Sequence, residues 1–243
     1  MPAPAVASKL SQVSDRVWFA HSPLVNWTIV TTPRGVVLID AGYPAQADRV
    51  LGDIRTVAAV SDEQELAAVL VTHAHTDHIG GVPGVLAQHP QAAVLAAPVE
   101  VAAVRGPERE QITLGKMGRK LLRPKFLAWL RAGISAGGLR PVAIPTARGF
   151  TAEELADFGI RAHPAAGHTA GSTAYEILGD NILVTGDAYV TDHLTYRQPN
   201  SGAIDPLFSA DPAQAKRTAE AFPLDVTVLP GHGPARIAAM AST

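Results

Sequence analysis

Three histidines and an aspartate fall within six positions, His73 to His78, of the stretch VLVTHAHTDHIGGV at Val69–Val82. A lone histidine behind a strand is ordinarily a packed or surface group, but no packing requirement gathers four ligand-type side chains as H-x-H-x-D-H. The alternate spacing directs His73 and His75 to one centre, while Asp77 and His78 can turn toward another. Imidazole and carboxylate together suit Zn²⁺, Fe or Mn. The chain contains no cysteine, so every further ligand must also be histidine or carboxylate. Three more candidates stand at predicted strand ends beside glycine: His168 in AAGHTAGS, Asp187 in ILVTGDA and His232 in VTVLPGHGP. Divalent ions held by such groups activate water near neutral pH and stabilise developing negative charge, which makes hydrolysis the natural chemistry.

The elements that must position these groups are legible as short apolar runs. Strands are predicted at 27–31, 36–40, 67–72, 94–96, 174–178, 181–185 and 226–229. Helices are predicted at 45–57, 84–89 and 212–222, the last capped by Asp211 with Pro212 at its first position. The strand pairs at 27–40 and 174–185 read as hairpins, which a purely parallel sheet would not contain. The expectation is therefore an α/β fold with partly antiparallel sheets covered by helices. No repeat or linker divides the 243 residues, so one domain over 1–243 is expected, with a basic amphipathic insertion at about 105–145. Hydrophobic residues make up 47% of the chain, without a run approaching the ~20 residues of a membrane span. The N-terminal stretch lacks the pattern of a secretory signal, and a cytoplasmic location is expected. A formal charge of −2 argues against a nucleic-acid partner, although residues 105–140 carry nine Lys and Arg against two Glu.

Taken in order, H-x-H-x-D-H, G-H-T, G-D and P-G-H-G strongly resemble the metallo-β-lactamase-fold superfamily of metallohydrolases, from VVLIDAG at 36–42 through PGHG at 230–233. The resemblance implies an αββα sandwich, two mixed sheets flanked by helices, with the metal site along one edge of both sheets. It implies two divalent metal ions: His73, His75 and His168 on the first, Asp77, His78 and His232 on the second, and Asp187 bridging them. Zn²⁺ is the expected ion, with Fe or Mn as alternatives. Asp40 matches the family's aspartate at the end of an early strand and is expected to orient a ligand imidazole. A bridging hydroxide would attack a carbonyl carbon, with Asp77 also carrying its proton to the leaving group. Tyr189, two residues after Asp187, matches the tyrosine that polarises the substrate carbonyl in related acyl-homoserine lactonases.

The same resemblance narrows the substrate. Absence of cysteine disfavours the cysteine-containing β-lactamases, and the all-histidine type lacks the carboxylate that Asp187 supplies. Glyoxalase II enzymes share the ligands but continue into a basic helical region, whereas eleven residues follow His232 here, so a glutathione thioester is not expected. A small-molecule acyl substrate, as lactone, ester or thioester, is the expectation, closest in motif set to lactonase and glyoxalase II-like members. An iron-dependent sulfur dioxygenase or other redox member is the alternative, and a nuclease or phosphodiesterase fits an acidic chain poorly. GISAG at Gly133–Gly137 satisfies G-x-S-x-G, but Phe126 to Ala132 reads as helix, which is the wrong context for a nucleophilic Ser135. His21, His89, His163 and His193 lie outside the motif set and read as packed or surface groups, His193 being the nearest to a rim. In the basic segment Pro124 should split two helical pieces, either as a surface hairpin or homodimer contact, or as a lid. As a lid, it would use Phe126 and Trp129 to line an acyl pocket, with a nearby Arg or Lys receiving a substrate anion.

Overall fold

The computed structural model describes residues 8–61, 65–106, 117–196, 201–223 and 225–238. Seven strands form the first sheet in chain order: β1 (Lys9–Ser14), β2 (Val17–His21), β3 (Trp27–Thr32), β4 (Gly35–Ile39), β5 (Leu66–Leu70), β6 (Ala93–Ala96) and β7 (Arg148–Gly149). The first four are antiparallel, and β4 through β7 are parallel. The second sheet has the order β11 (Thr227–Pro230), β10 (Ile182–Gly186), β9 (Thr173–Ile177), β8 (Ile160–Pro164). Here β8–β9 and β9–β10 are antiparallel and β10–β11 is parallel.

Side-chain alternation along β4 shows how the layers are assembled. Val37 and Ile39 face the second sheet, meeting a core that includes Tyr175, Ile177, Ile182, Val184 and Leu229. Val36 and Leu38 face the other way, toward Val50, Ile54 and Val57 of α1 (Ala47–Ser61) and Val82 and Val85 of α3 (Val82–Gln88). With both faces covered the strand is apolar at every position, as the all-buried GVVLI shows. Each of these large aliphatic side chains contributes roughly 1.5–3 kcal/mol by leaving water. Among the described residues the remaining α-helices are the single-turn α2 (Thr76–Ile79), α4 (Val101–Arg105), α5 (Pro124–Ser135), α6 (Ala152–Asp157) and α7 (Pro212–Ala221). Ala219 of α7, with Phe222 just beyond it, packs on the outer face of the second sheet, which completes an αββα arrangement of two mixed sheets flanked by helices. Among the described residues, no helix is long and apolar enough to cross a membrane.

Strand direction brings the predicted ligands together. β4 and β5 run parallel, so Asp40 and the His73 loop leave at the same edge. β8, β10 and β11 also run one way, because β9 is antiparallel to both β8 and β10 while β11 is parallel to β10. His168, Asp187 and His232 therefore follow the carboxyl ends of three like-directed strands, the position where open α/β sheets hold ligands.

Both predicted hairpins form, as β3–β4 and β9–β10. The sequence pattern assigned no element to β1, β2 or β8. β1 is KLSQVS with a largely exposed face, and β8 carries Arg161 and His163 outward, so neither shows an apolar run.

Candidate metal centre

After β5 the chain passes through Val71 and Thr72 to His73, then enters α2, whose single turn carries Asp77 and His78 with His75 just ahead of it. Asp40 stands where β4 ends, with a left-handed φ of 60°. Such a backbone costs a non-glycine residue about 1–3 kcal/mol unless its surroundings hold it. Here they do: Asp40 Oδ1 accepts from Thr72 N at 2.9 Å, while Oδ2 accepts from Thr72 Oγ1 and His78 Nδ1, each at 2.7 Å. Thr72 Oγ1 in turn lies 3.0 Å from His73 Nδ1, so one carboxylate orients two candidate ligand imidazoles. His232 is fixed in the same manner, its Nδ1 donating to Leu24 O at 2.6 Å. Gly231 cannot carry a side chain, since a Cβ there would stand 2.3 Å from Asp187 Oδ1 and 2.7 Å from His78 Cε1.

The outer nitrogens of His73, His78 and His232 are engaged in this way, and the inner donor atoms converge with those of His75 and His168. His168 Nε2 is 3.1 Å from His73 Nε2 and 2.9 Å from His75 Nδ1. Three nitrogens around one ion at about 2.0–2.1 Å would stand roughly 3.3 Å apart, close to this spacing. Beside them, Asp187 Oδ1 is 3.2 Å from His78 Nε2, and Asp187 Oδ2 is 3.2 Å from His232 Nε2. Asp77 Oδ2 is 3.5 Å from His232 Nε2 and 3.9 Å from His78 Nε2. His78 Nε2 and Asp187 Oδ1 are buried without a hydrogen-bond partner. Among the described residues three donor groups result: His73, His75 and His168; His73, His78 and Asp187; and Asp77, His78 and His232.

The electrostatics point the same way. Burial, then the neighbouring His78 and His168, hold His73 well below the ordinary histidine range, and burial followed by His75 takes His168 to about 3. Burial would lower His78 and His232 as well, but it is outweighed: Asp187 and Asp40 keep His78 well above its usual value, and Asp187 and Asp77 bring His232 to about 9. The buried carboxylates thus draw protons onto two imidazoles to offset their charge, a demand that divalent cations also meet. Donor types, convergence and unpartnered atoms all fit divalent metal ions.

Glu100, which the sequence pattern does not single out, ties two ligand loops together. Its carboxylate is buried; Oε1 accepts from Ala74 N at 2.8 Å, and Oε2 accepts from Gly171 N at 2.9 Å and Thr169 Oγ1 at 3.0 Å. Ala74 lies between His73 and His75, and Thr169 follows His168, so this one side chain spaces the loops that hold three candidate ligands.

Over the donors opens a cleft. His75, Asp77, His168, Asp187 and His232 reach it from the metal side, and Trp129, Leu130, Ile134, Leu139, Ile204 and Phe208 from the other. Pro124 does divide two helical pieces, a 3-10 turn at Gly118–Leu122 and α5. Trp129 lines the cleft as a lid residue would, whereas Phe126 is buried behind it among Met117, Val190, Ile204 and Phe208. Among the described residues no Lys or Arg lines the cleft. Lys120 is paired with Asp205, and Lys125 donates to Tyr196 O at 2.9 Å. The expectation of a basic group receiving a substrate anion is not met there, and its part on 107–116 falls outside the described residues.

One further expectation changes, and the reading of Ser135 as no nucleophile stands. Tyr189 is not brought to the donors: its ring packs with Ala219, Val228 and Phe222, and its hydroxyl accepts from Arg236 at 3.3 Å. The turn after Asp187, held by Thr185 Oγ1 donating to Tyr189 O at 2.8 Å, sends the side chain to the outer face of the sheet. Ser135 is exposed at the end of α5, donating to Ala132 O at 2.8 Å, with helix rather than strand before it. Two polar rings that the motifs did not mark do line the cleft, Tyr43 and His193. Burial, then Asp77 and Asp187, raise the Tyr43 hydroxyl well above the usual range, which keeps it protonated. Burial and then His232 lower His193 to about 3, leaving its ring neutral.

A family model described as the metallo-beta-lactamase superfamily matches residues 23–232. Among curated proteins, ribonuclease J of Mycolicibacterium smegmatis is 32% identical over 108 residues, 42% of this chain and 17% of that protein. A hydroxyacylglutathione hydrolase of Photorhabdus laumondii is 35% identical over 65 residues, 27% of this chain and 23% of that protein. The matches thus span less than a quarter of the length of these relatives. Among solved structures, a metallo-β-lactamase from Erythrobacter litoralis superposes with a TM-score of 0.59 at 20% identity, covering 94% of this chain and 90% of that one.

Proposed function

We propose that the chain, which belongs to the metallo-β-lactamase superfamily, is a hydrolase that cleaves an ester, lactone or thioester whose acyl group is apolar and uncharged. One observation carries the proposal: a cluster of histidines and carboxylates opens into a cleft walled by Trp129, Leu130, Ile134, Leu139, Ile204 and Phe208, with no Lys or Arg among the described lining residues. Apart from the metal ions, no described side chain on that wall would receive a glutathione carboxylate or a phosphate.

In this reading His73, His75 and His168 hold one divalent ion and Asp77, His78 and His232 a second, with Asp187 between them. Zn²⁺ is the ion expected. When bound, the ions supply an activated water and positive charge for the developing oxyanion. The chain's own part is orientation, solvent exclusion and proton handling. Asp40 and the Leu24 carbonyl fix the ligand rings. The apolar wall excludes water around the scissile bond, which strengthens every polar contact inside. Asp77, whose carboxylate keeps 19% exposure toward the cleft, carries a proton to the leaving oxygen or sulfur.

The test is a hydrolysis panel of lactones, alkyl esters, thioesters, β-lactams and phosphodiesters, each with and without chelator. Chelator-sensitive turnover of apolar acyl substrates is expected. The ribonuclease J match supports a second reading, and turnover confined to phosphodiesters would put it in place of the acyl one. Stoichiometric iron with oxygen-dependent turnover would instead indicate a redox member of the fold.

A further inference from the structure

His193 is a buried imidazole in the cleft, 5% exposed, that belongs to none of the three donor groups. It stands edge-on to His232 with ring centres 4.8 Å apart, and Phe208, Tyr196 and Trp129 surround it at 5.0, 5.7 and 5.8 Å. Its Nδ1 receives the Thr195 hydroxyl at 2.7 Å and the Thr195 backbone N–H at 3.3 Å. An Nδ1 that accepts a backbone N–H carries no proton of its own, so the proton of the neutral ring is on Nε2. Among the described residues Nε2–H has no protein partner, and the face it is left with is the cleft.

We propose that His193 is a catalytic residue whose Nε2–H donates a hydrogen bond to the carbonyl oxygen of the acyl substrate. The inference rests on the hydrolase reading above and deepens it. As the nucleophilic oxygen bonds to the carbonyl carbon, the π pair moves onto the carbonyl oxygen, and the bond from Nε2–H strengthens without transferring its proton. The pair returns when the acyl–oxygen or acyl–sulfur bond breaks, and the leaving atom takes the bonding pair and a proton. A donor fixed by Thr195 and by three aromatic neighbours needs no reorganisation as this charge appears, and apolar surroundings raise its worth. The arrangement also supplies the carbonyl donor that Tyr189, turned to Arg236, does not.

The experiment compares wild type, His193→Phe and His193→Gln with two metal equivalents loaded. Phenylalanine keeps the ring volume and removes the donor, while glutamine returns an N–H at similar reach. For His193→Phe, kcat should fall by roughly 10- to 100-fold, alike for p-nitrophenyl and alkyl esters, with KM changed by less than about threefold. Affinity for a non-hydrolysable long-chain ketone should weaken over the same range by calorimetry, while a matched alkane binds as before. His193→Gln should recover part of both losses. Unchanged kcat and ketone affinity in His193→Phe, an effect confined to KM, or loss of metal from that variant would each overturn the assignment. Wild type inactive on every acyl substrate would defeat the hydrolase reading instead, and is separately visible.

Discussion

The two sides of the cleft are built by opposite rules. On the metal side, ligand-type side chains are anchored on their outer atoms, as His78 is by Asp40, His232 by the Leu24 carbonyl and His73 by Thr72. On the facing side, α5 and the segment around 204–208 present carbon, with Trp129, Leu130 and Phe208 held by packing. A polar cluster fixes position by directed bonds, so one lost partner displaces a ligand. An apolar wall fixes only shape, and a lost side chain changes which substrate fits. Metal affinity and substrate choice should therefore respond to different substitutions.

The strongest test of that separation is Asp187→Ala. Its carboxylate stands within 3.2 Å of both His78 Nε2 and His232 Nε2, between the donor groups. Removal should leave at most one tightly bound ion by elemental analysis and lower turnover on the order of 1,000-fold or more. Two ions retained at wild-type affinity would show that the polar side is not organised around this residue.

Glu100→Gln should act one step further out. The amide keeps one acceptor oxygen and turns its NH₂ toward groups that were donating, namely Ala74 N on one side or Gly171 N and Thr169 Oγ1 on the other. Leaving one or two buried donors unmet costs about 1–3 kcal/mol. In a chain of this size that is a fall in Tm of roughly 2–12 °C. Because Glu100 spaces the His73–His75 and His168 loops, metal affinity there should weaken about 10- to 100-fold, while the KM ratio between long and short acyl substrates stays fixed. A changed ratio would mean that the two sides are coupled.

How much of this was written in the sequence divides along the same line. His73, His75, Asp77 and His78 are legible because their chemistry is local, four ligand types in six positions after an apolar run. The glycines beside His168, Asp187 and His232 are legible for a related reason: donors crowd the backbone, and Gly231 has no room for a Cβ. β3, β4, β9 and β10 show as apolar runs because both faces are covered. Glu100 and His193 carry no such mark. Glu100 acts across 26 residues on Ala74 and 71 on Gly171, and His193 meets His232 only through the parallel pairing of β10 with β11. Their roles arise from tertiary distance, which spacing along the chain does not encode.

Trp129→Ala probes the apolar side, together with one of the three rings that flank His193. It removes a ring that lines the cleft beside Phe208 and leaves every donor contact in place. KM for long-chain or aromatic acyl substrates should rise by about tenfold more than for short ones, the scale of a few lost methylene contacts, with metal content unchanged. Equal effects across chain lengths would reassign α5 to assembly or stability, and the lid reading would fall.

The smallest effect is expected at Tyr189, and it sharpens the comparison because the resemblance to acyl-homoserine lactonases puts this residue on the catalytic side. Its hydroxyl accepts one hydrogen bond, from Arg236 at 3.3 Å, and its ring lies against Phe222 on the outer face of the second sheet. Tyr189→Phe removes that bond, which is worth about 0.5–1.5 kcal/mol. Stability should drop by no more than that, kcat should stay within about twofold, and metal content should be unchanged. Turnover slowed about tenfold or more in this variant, the scale of a lost oxyanion donor, would mean that the segment after Asp187 rearranges during catalysis and delivers Tyr189 to the carbonyl in place of His193. The pair of variants separates the cases, since only one of the two donors, hydroxyl or imidazole, can be the one whose removal slows turnover while leaving the ions in place.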